Sequence, residues 1–459
     1  DYPFLHPTWA SGRKLRRDLW YHFLHSCRGV IAWDNHEPKN KLIDRKTLKL
    51  TARGEASAPV LKEILAGTDR MLIQSRREDN GVAIYHSPAS ARVNWWHQFV
   101  NVGRGYILRQ SWHEYRQDER SVLRTSWIKL IEDNHLQFAF VSPAQLAEGR
   151  LAAGGFRVLL LPEVWALSDA EAGRIAAFAR AGGTVIADQY TGLYDGHGRR
   201  RAKGALDELF GIDQSAVTGD IRTARDPKTP KPRTLGKAAS IPGLKADTWD
   251  ALATRGPNAR SVRRVADDAD NLVGDRGDAA FVVRTVGKGK AVFLNLDVSH
   301  YSRVRTTKLA QAEAVLSIVR AALPAEVQPP ARILSAKSGK RLPGSEVAVW
   351  TAGPRRRALA VWRNYNVSKE GIGGERFTDN SMFEKDERIV VELDRKYHVV
   401  NQRTGKAHGL TDRVALTLSP WEPIILTLQD VPPTALKVTG PASAKRGEVV
   451  TLAISGPED

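Results

Sequence analysis

Between residues 122 and 198 helical and strand patterns alternate, and that alternation restricts the chain to a parallel sheet covered by helices. Val122, Leu123, Trp127, Leu130 and Ile131 recur at helical spacing and mark one apolar face. A short buried strand, Leu136-Gln-Phe-Ala-Phe-Val141, is closed by Ser142-Pro143, and a second, Phe156-Arg-Val-Leu-Leu-Leu161, is stopped by Pro162. Ser168-Asp-Ala-Glu171 is a capping box: the serine hydroxyl can accept from a backbone N–H, and the glutamate can reach back to the cap. Ala172, Ile175, Ala176 and Ala179 then line a helix that ends at Gly182-Gly183, where positive φ is cheap. Thr184-Val-Ile-Ala-Asp188 is a third strand. Strands that alternate with helices are joined by crossovers and run parallel.

Towards the N-terminus, Gly81-Val-Ala-Ile-Tyr85 reads as the first strand of this doubly wound sheet. Further back, Leu15, Leu19, Phe23 and Cys27 share a helical face, Gly29 stops the helix, and Val30-Ile-Ala-Trp33 is a strand. A long loop then leads to a helix with Pro59 in its first turn and Val60, Leu61, Ile64 and Leu65 facing inward. Helix, strand, loop and helix make one and a half units of a β/α barrel, which needs eight units over ~250 residues. The opening is therefore expected to be the last part of such a barrel, or else a small helical annex. Residues 94–115 are rich in Trp, His and Arg without a clean period, as in an insertion over the sheet. Trp95-Trp96-His97 and Trp112-His113 within it suit a subunit interface or a lid, or equally a loop packing its own rings.

After the third strand come a polar loop at 191–198, a short helix at 204–210 and an irregular excursion at 218–260. Strands at 280–285 and 291–296 form a hairpin about Gly287-Lys-Gly-Lys290, and a helix at 306–322 closes the domain. From Ala331 the texture changes to short alternating strands at 347–350, 358–362, 388–392, 397–400, 414–418 and 424–428, which predict an all-β sandwich. Two more strands, at 436–439 and 449–452, are too few to close a domain and read as the start of another. The expected fold class is α/β, divided at 1–78, 79–328, 329–430 and 431–459.

Charge raises a further possibility. The chain carries 69 basic against 51 acidic side chains, a net +18, which would suit a polyanion binder or simply a basic surface. Its basic clusters, such as Arg199-Arg200-Arg201 and Arg355-Arg356-Arg357, sit in no recognisable nucleic-acid module, so nucleic acid is not an expected partner. No apolar run approaches ~18 residues, so no membrane span is expected. Cys27 is the single cysteine, which excludes an internal disulfide. That fits a reducing compartment, although a core of this size needs no staples outside the cell either.

The three blocks in this order resemble the β-galactosidases of glycoside hydrolase family 42. Phe156-Arg-Val-Leu-Leu-Leu-Pro-Glu163, Leu167-Ser-Asp-Ala-Glu171, Ala181-Gly-Gly-Thr-Val-Ile-Ala187 and Thr191-Gly-Leu-Tyr-Asp-Gly-His-Gly198 carry the resemblance together. It implies that 81–323 is the family's trimerisation domain, with a class I glutamine amidotransferase-like fold. It implies that 20–37 is the last barrel helix and eighth strand, and that 331–428 is the small C-terminal β domain. The tail after Thr434 resembles the start of an immunoglobulin-like module, which the compact members lack and which suits an exported protein better than a cytoplasmic one.

The resemblance also implies hydrolysis of β-galactosides or related glycans by two glutamates held ~5–5.5 Å apart in a retaining mechanism. Those glutamates come from the fourth and seventh barrel strands, which would precede Asp1, so no catalytic residue is nominated here. What remains is the eighth wall of the site. Trp33 can stack on a sugar face, and Asp34, Asn35, His36 and Glu37 can bond to hydroxyls; alternatively Trp33 packs the barrel mouth beside a solvated loop. His6 and Trp9 lie where the loop after the seventh strand would be. Amidotransferase chemistry needs a cysteine nucleophile activated by a histidine, and the doubly wound domain has no cysteine. Cys27 reads as core filling and His197 as a turn residue. No metal-ligand spacing stands out and no cofactor is implied. The expected partners are carbohydrate and further copies of the chain, a homotrimer by resemblance. A different class of function, a non-catalytic carbohydrate-binding or oligomerisation protein built on the same α/β domain, stays open beside the enzyme.

Overall fold

The computed structural model describes residues 4–5, 12–29, 31–32, 41–99, 119–217, 263–265, 268–271, 281–295, 298, 301–366, 379–433 and 437–455. Its central sheet has seven strands, in the order Ala269–Asn271, Phe281–Val286, Gly289–Leu294, Thr184–Ala187, Val158–Leu161, Val82–Tyr85 and Phe138–Val141. The last five are mutually parallel, and the first two add an antiparallel edge. Burial on both faces explains why the three inner parallel strands Val82–Tyr85, Val158–Leu161 and Thr184–Ala187 read as unbroken apolar runs.

Side-chain alternation divides those runs between two cores. Val82, Ile84, Val158, Leu160, Ile186 and Val292 pack with Trp127, Leu130 and Leu316, from the helices Glu119–Asp133 and Leu309–Ala322. Ala83, Tyr85, Leu159, Leu161, Val185 and Ala187 pack with Ile175 and Ala179 of the helix Asp169–Arg180. The capping box forms as the spacing predicts: Glu171 N donates to Ser168 Oγ at 3.3 Å, and Ser168 N donates to Glu171 Oε2 at 2.7 Å. Gly289 lets the hairpin lie against that helix. A Cβ there would stand 2.2 Å from the carbonyl oxygens of Ala179 and Gly183, neither of which can swing away.

The C-terminal strands form one antiparallel sheet rather than separately bonded layers. Its order is Ala331–Ser335, Glu387–Asn401, Ile424–Gln429, Arg356–Arg363, Ser345–Gly353 and Arg76–Arg77, with Ala407–Leu418 paired to Glu387–Asn401. The 15-residue strand Glu387–Asn401 pairs with Ala331–Ser335 through its first half and with Ile424–Gln429 through its second. The sheet thereby curls about a core that includes Ile333, Val347, Val361, Val391, Tyr397 and Leu426. Its outer face presents Ala348, Trp350, Ala358, Ala360 and Trp362, and these receive Leu15, Leu19, Trp20 and Leu24 of the helix Gly12–Leu24.

Four local expectations change. The second N-terminal helix runs Ala52–Glu63, so Pro59 lies inside it and not in its first turn; the start is set by Thr51, whose side chain accepts from Gly54 N. Residues 94–99 continue the helix Pro88–Phe99 instead of opening an irregular insertion, because Pro88 begins a helix that buries Val93 and Asn94. Residues 100–115, Trp112 and His113 among them, lie outside the described residues, as does 218–260. Arg76–Arg77 forms an unforeseen edge strand on Trp350 and Thr351. In the tail the second strand is Ala453–Ser455 and not 449–452; it pairs with Lys437–Thr439, and Val449 is 93% exposed.

Candidate functional site

Trp33, Asp34, His36 and Glu37 lie outside the described residues, as do His6, Trp9 and Asn35. The strand that leads into them is described. Ile31–Ala32 pairs in parallel with Phe4–Leu5, and the helix Gly12–Leu24 connects the two, which makes a βαβ unit. The loops that follow the two strands therefore leave from the same end of the pair.

In an open parallel sheet, ligands bind beyond the carboxyl ends of the strands, where the strand order reverses. Here the loops at that edge are bonded to one another, beside a cavity of about 530 Å³ lined by Pro88, Arg92, Pro143, Ser168, Glu171 and His197. Asp188 follows Thr184–Ala187 and accepts Trp127 Nε1 on one oxygen at 2.8 Å and Glu163 N on the other at 2.6 Å. Glu163 follows the neighbouring strand with φ +49°, a left-handed backbone that this hydrogen bond helps to hold. Ser90 Oγ donates to Ala166 O at 3.1 Å and accepts from Ala166 N at 2.9 Å, fastening the loop after Glu163 over the crevice. His97 packs its ring on Trp165 and Tyr194, while Trp96 beside it is 53% exposed. His197 N donates to Asp195 Oδ1 at 2.8 Å, so this histidine belongs to a tight turn. Cys27 is half-buried at the end of another helix, where its N–H donates to His22 O.

A second constellation lies where the N-terminal helix, the parallel-sheet unit and the β unit meet. Asp133 and Arg305 are 3% and 1% exposed at their side chains and share two hydrogen bonds of 2.7 Å. Tyr301 Oη and Asn364 Nδ2 also donate to Asp133, while Arg305 donates to Asn364 O and Asn366 Oδ1. Burial opposes ionisation of Asp133, but Arg305 outweighs it and keeps the carboxyl below its ordinary range. One residue back, Glu132 Oε2 accepts from Lys129 Nζ at 2.8 Å, and Lys129 also reaches Asn364 and Tyr21. Burial again opposes the charge on Glu132, and Lys129 overrides it, holding the carboxyl down to about 2.

His25 approaches the same cluster from the end of the helix Gly12–Leu24. Its Nε2 stands 3.1 Å from Glu346 Oε1 and 3.6 Å from Glu132 Oε1. Burial disfavours its cation, yet Tyr21, Glu346 and Glu132 together raise it well above the ordinary imidazole value. His135, by contrast, is held neutral: burial first, then Arg341, pushes it down to about 3. Ile333 N donates to its Nδ1 at 3.4 Å, so Nε2 carries the proton and donates to Ser345 Oγ at 2.9 Å. None of these junction residues stood out in the sequence. The one available signal was the run of ionisable residues, Lys129, Glu132 and Asp133, on a helix that buries Trp127, Leu130 and Ile131.

No curated protein sequence matches the chain. Among protein families, residues 125–317 match the model of the beta-galactosidase trimerisation domain. Among solved structures, the chain is similar to beta-galactosidase from Bacillus circulans sp. alkalophilus, with TM-score 0.57 and 15% identity over 93% of this chain and 54% of that one. It is similar to a GH42 beta-galactosidase from G. stearothermophilus, with TM-score 0.53 and 14% identity over 94% and 59%. For beta-galactosidase from Rahnella sp. R3 the values are 0.53 and 16%, over 93% and 54%. The chain thus spans little more than half the length of these structures. Residues 125–317 thus match the beta-galactosidase trimerisation domain, and the chain shares the fold of the glycoside hydrolase family 42 β-galactosidases.

Proposed function

We propose that this chain works as part of a retaining β-galactosidase or related glycosidase, supplying the closing wall of a β/α barrel, an assembly domain and a C-terminal β domain. The observation that carries this reading is the trimerisation-domain match over 125–317. The βαβ unit before it and the curled antiparallel sheet after it follow in the order expected of such an enzyme. In this reading the seven-stranded sheet is a doubly wound, amidotransferase-like domain within 79–328, kept for packing. The curled sheet at 329–430 is a sandwich-like domain, and 431–459 starts an immunoglobulin-like module.

Trp33 then stacks on a sugar ring, and Asp34, His36 and Glu37 bond to its hydroxyls. The two catalytic glutamates belong to barrel strands that this chain does not include. The test is hydrolysis of aryl β-galactosides. This chain alone should show no turnover, and a protein that joins it to its complete barrel should show turnover that Trp33→Ala weakens chiefly through KM. Turnover by the chain alone, or an inert barrel-bearing protein, would overturn the reading. Assembly is tested separately by light scattering, which should give three times the mass of one chain.

A further inference from the structure

The environment of His25 requires a positive charge. His25 Nδ1 lies 2.7 Å from Tyr21 O, which fixes the proton on that nitrogen and turns the Nε2 lone pair towards the glutamates. Nε2 then faces Glu346 Oε1 at 3.1 Å and Glu132 Oε1 at 3.6 Å. A lone pair opposed to two carboxylate oxygens is repulsive, and Glu346 and Glu132 are only 0% and 1% exposed, so solvent cannot screen it. Either a second proton or a metal ion has to stand between them.

The geometry favours the metal. A hydrogen bond wants donor, proton and acceptor nearly in line. Yet among the described residues His25 Nε2 has no partner that satisfies hydrogen-bond geometry, despite the short separation from Glu346. A tetrahedral ion at ~2.0–2.1 Å from each ligand instead sets the ligand atoms ~3.3–3.4 Å apart and off the straight line. The separations of 3.1 and 3.6 Å bracket that edge.

The outer partners are also those of a metal site. Tyr21 O orients the imidazole, Lys129 Nζ holds the second oxygen of Glu132, and Gln137 Nε2 holds Glu346 Oε1 at 3.1 Å. Glu346 Oε2 accepts no hydrogen bond among the described residues although the side chain is fully buried, so it can serve the ion as well. We propose that His25, Glu132 and Glu346 bind one divalent ion of the zinc type.

The ion ties the end of the helix Gly12–Leu24 to the helix Glu119–Asp133 and to the strand Ser345–Gly353. The His25 side chain is 20% exposed and provides the route by which the ion enters. Lys129 and Arg77 are the cations that face the cluster, and their repulsion sets the affinity below that of closed cysteine-rich zinc sites.

The test uses the full chain, stripped with chelator and titrated with Zn2+ by calorimetry, with metal content read by mass spectrometry. One equivalent should bind, with release of protons and a rise in the unfolding midpoint. Glu346→Gln, which keeps the shape of the side chain, should weaken binding ~10-fold or more, and His25→Ala should abolish it. In case His25→Ala does not fold, Co2+ on the unaltered chain gives an independent readout. It should show the visible absorption of a tetrahedral nitrogen- and oxygen-ligated ion without the thiolate band that Cys27 would add. No uptake, uptake unchanged in Glu346→Gln, or a thiolate spectrum would each overturn the proposal; the first would leave a proton as the cation.

Discussion

Replacing Asp133 by asparagine tests whether the junction holds the molecule together. The substitution keeps the volume and removes the charge opposite Arg305, whose side chain is 1% exposed and donates two hydrogen bonds of 2.7 Å to Asp133. Breaking a buried pair from one side costs ~3–5 kcal/mol, because the remaining ion stays desolvated without its counter-charge. With a urea slope of ~2–3 kcal/mol/M, that cost lowers the unfolding midpoint by ~1–2.5 M. Arg305 also bonds Asn364 and Asn366 of the β unit, so fluorescence from that unit and from the parallel-sheet unit should shift together. The double variant Asp133→Leu with Arg305→Met leaves neither ion behind and should recover at least half of the loss. A midpoint shift below ~0.3 M for Asp133→Asn, or a double variant as unstable as the sum of its single changes, would refute the reasoning.

Glu78 predicts an acid limb in stability. Burial raises its carboxyl, but Arg357, with a hydrogen bond to each carboxylate oxygen, outweighs burial and brings it below its ordinary value of 4.5. A folded-state value below the unfolded one gives stabilisation that is complete above the unfolded value and lost as pH falls through the folded one. Glu78→Gln should therefore flatten the denaturation profile below about pH 5, as chemical unfolding at a series of pH values will show. Gly289→Ala should cost ~1–3 kcal/mol by urea denaturation, because its Cβ would meet two backbone carbonyls at 2.2 Å. Ser168→Ala should cost ~1 kcal/mol by the same measurement, since it removes one arm of the capping box.

The parallel sheet was legible because its signals are local. Pro162, Gly182-Gly183 and the Ser168–Glu171 pair mark the ends of elements within a few residues, and strands buried on both faces announce themselves by composition. Pro59 misled because proline usually opens a helix, whereas here Thr51 caps a helix that tolerates it one turn from its end. The second tail strand was misplaced because an exposed strand has no buried face whose alternation would mark it. The junction was invisible for a different reason. Asn364 lies 231 residues from Asp133, and Ser345 lies 210 from His135. No spacing rule reaches across such distances; only the folded arrangement of three units brings these groups together. The sugar-binding expectation for Trp33, Asp34, His36 and Glu37 rests on resemblance, not on local pattern.

Where a parallel sheet would offer its ligand crevice, several polar groups of this chain bond to one another. Both oxygens of Asp188 are taken by Trp127 and Glu163, and Ser90 bonds both backbone groups of Ala166. Glu171 serves its own helix cap and accepts from the Tyr85 hydroxyl. A nucleophile placed there would first have to break bonds that hold the adjoining loops. The groups left facing other units lie at the opposite, N-terminal side of the strands, where His135, Gln137 and Arg77 meet Ser345 and Glu346. A sheet whose loops bond to one another at one edge, and whose opposite edge turns polar and charged groups to the β unit, is suited to hold its neighbouring units in place.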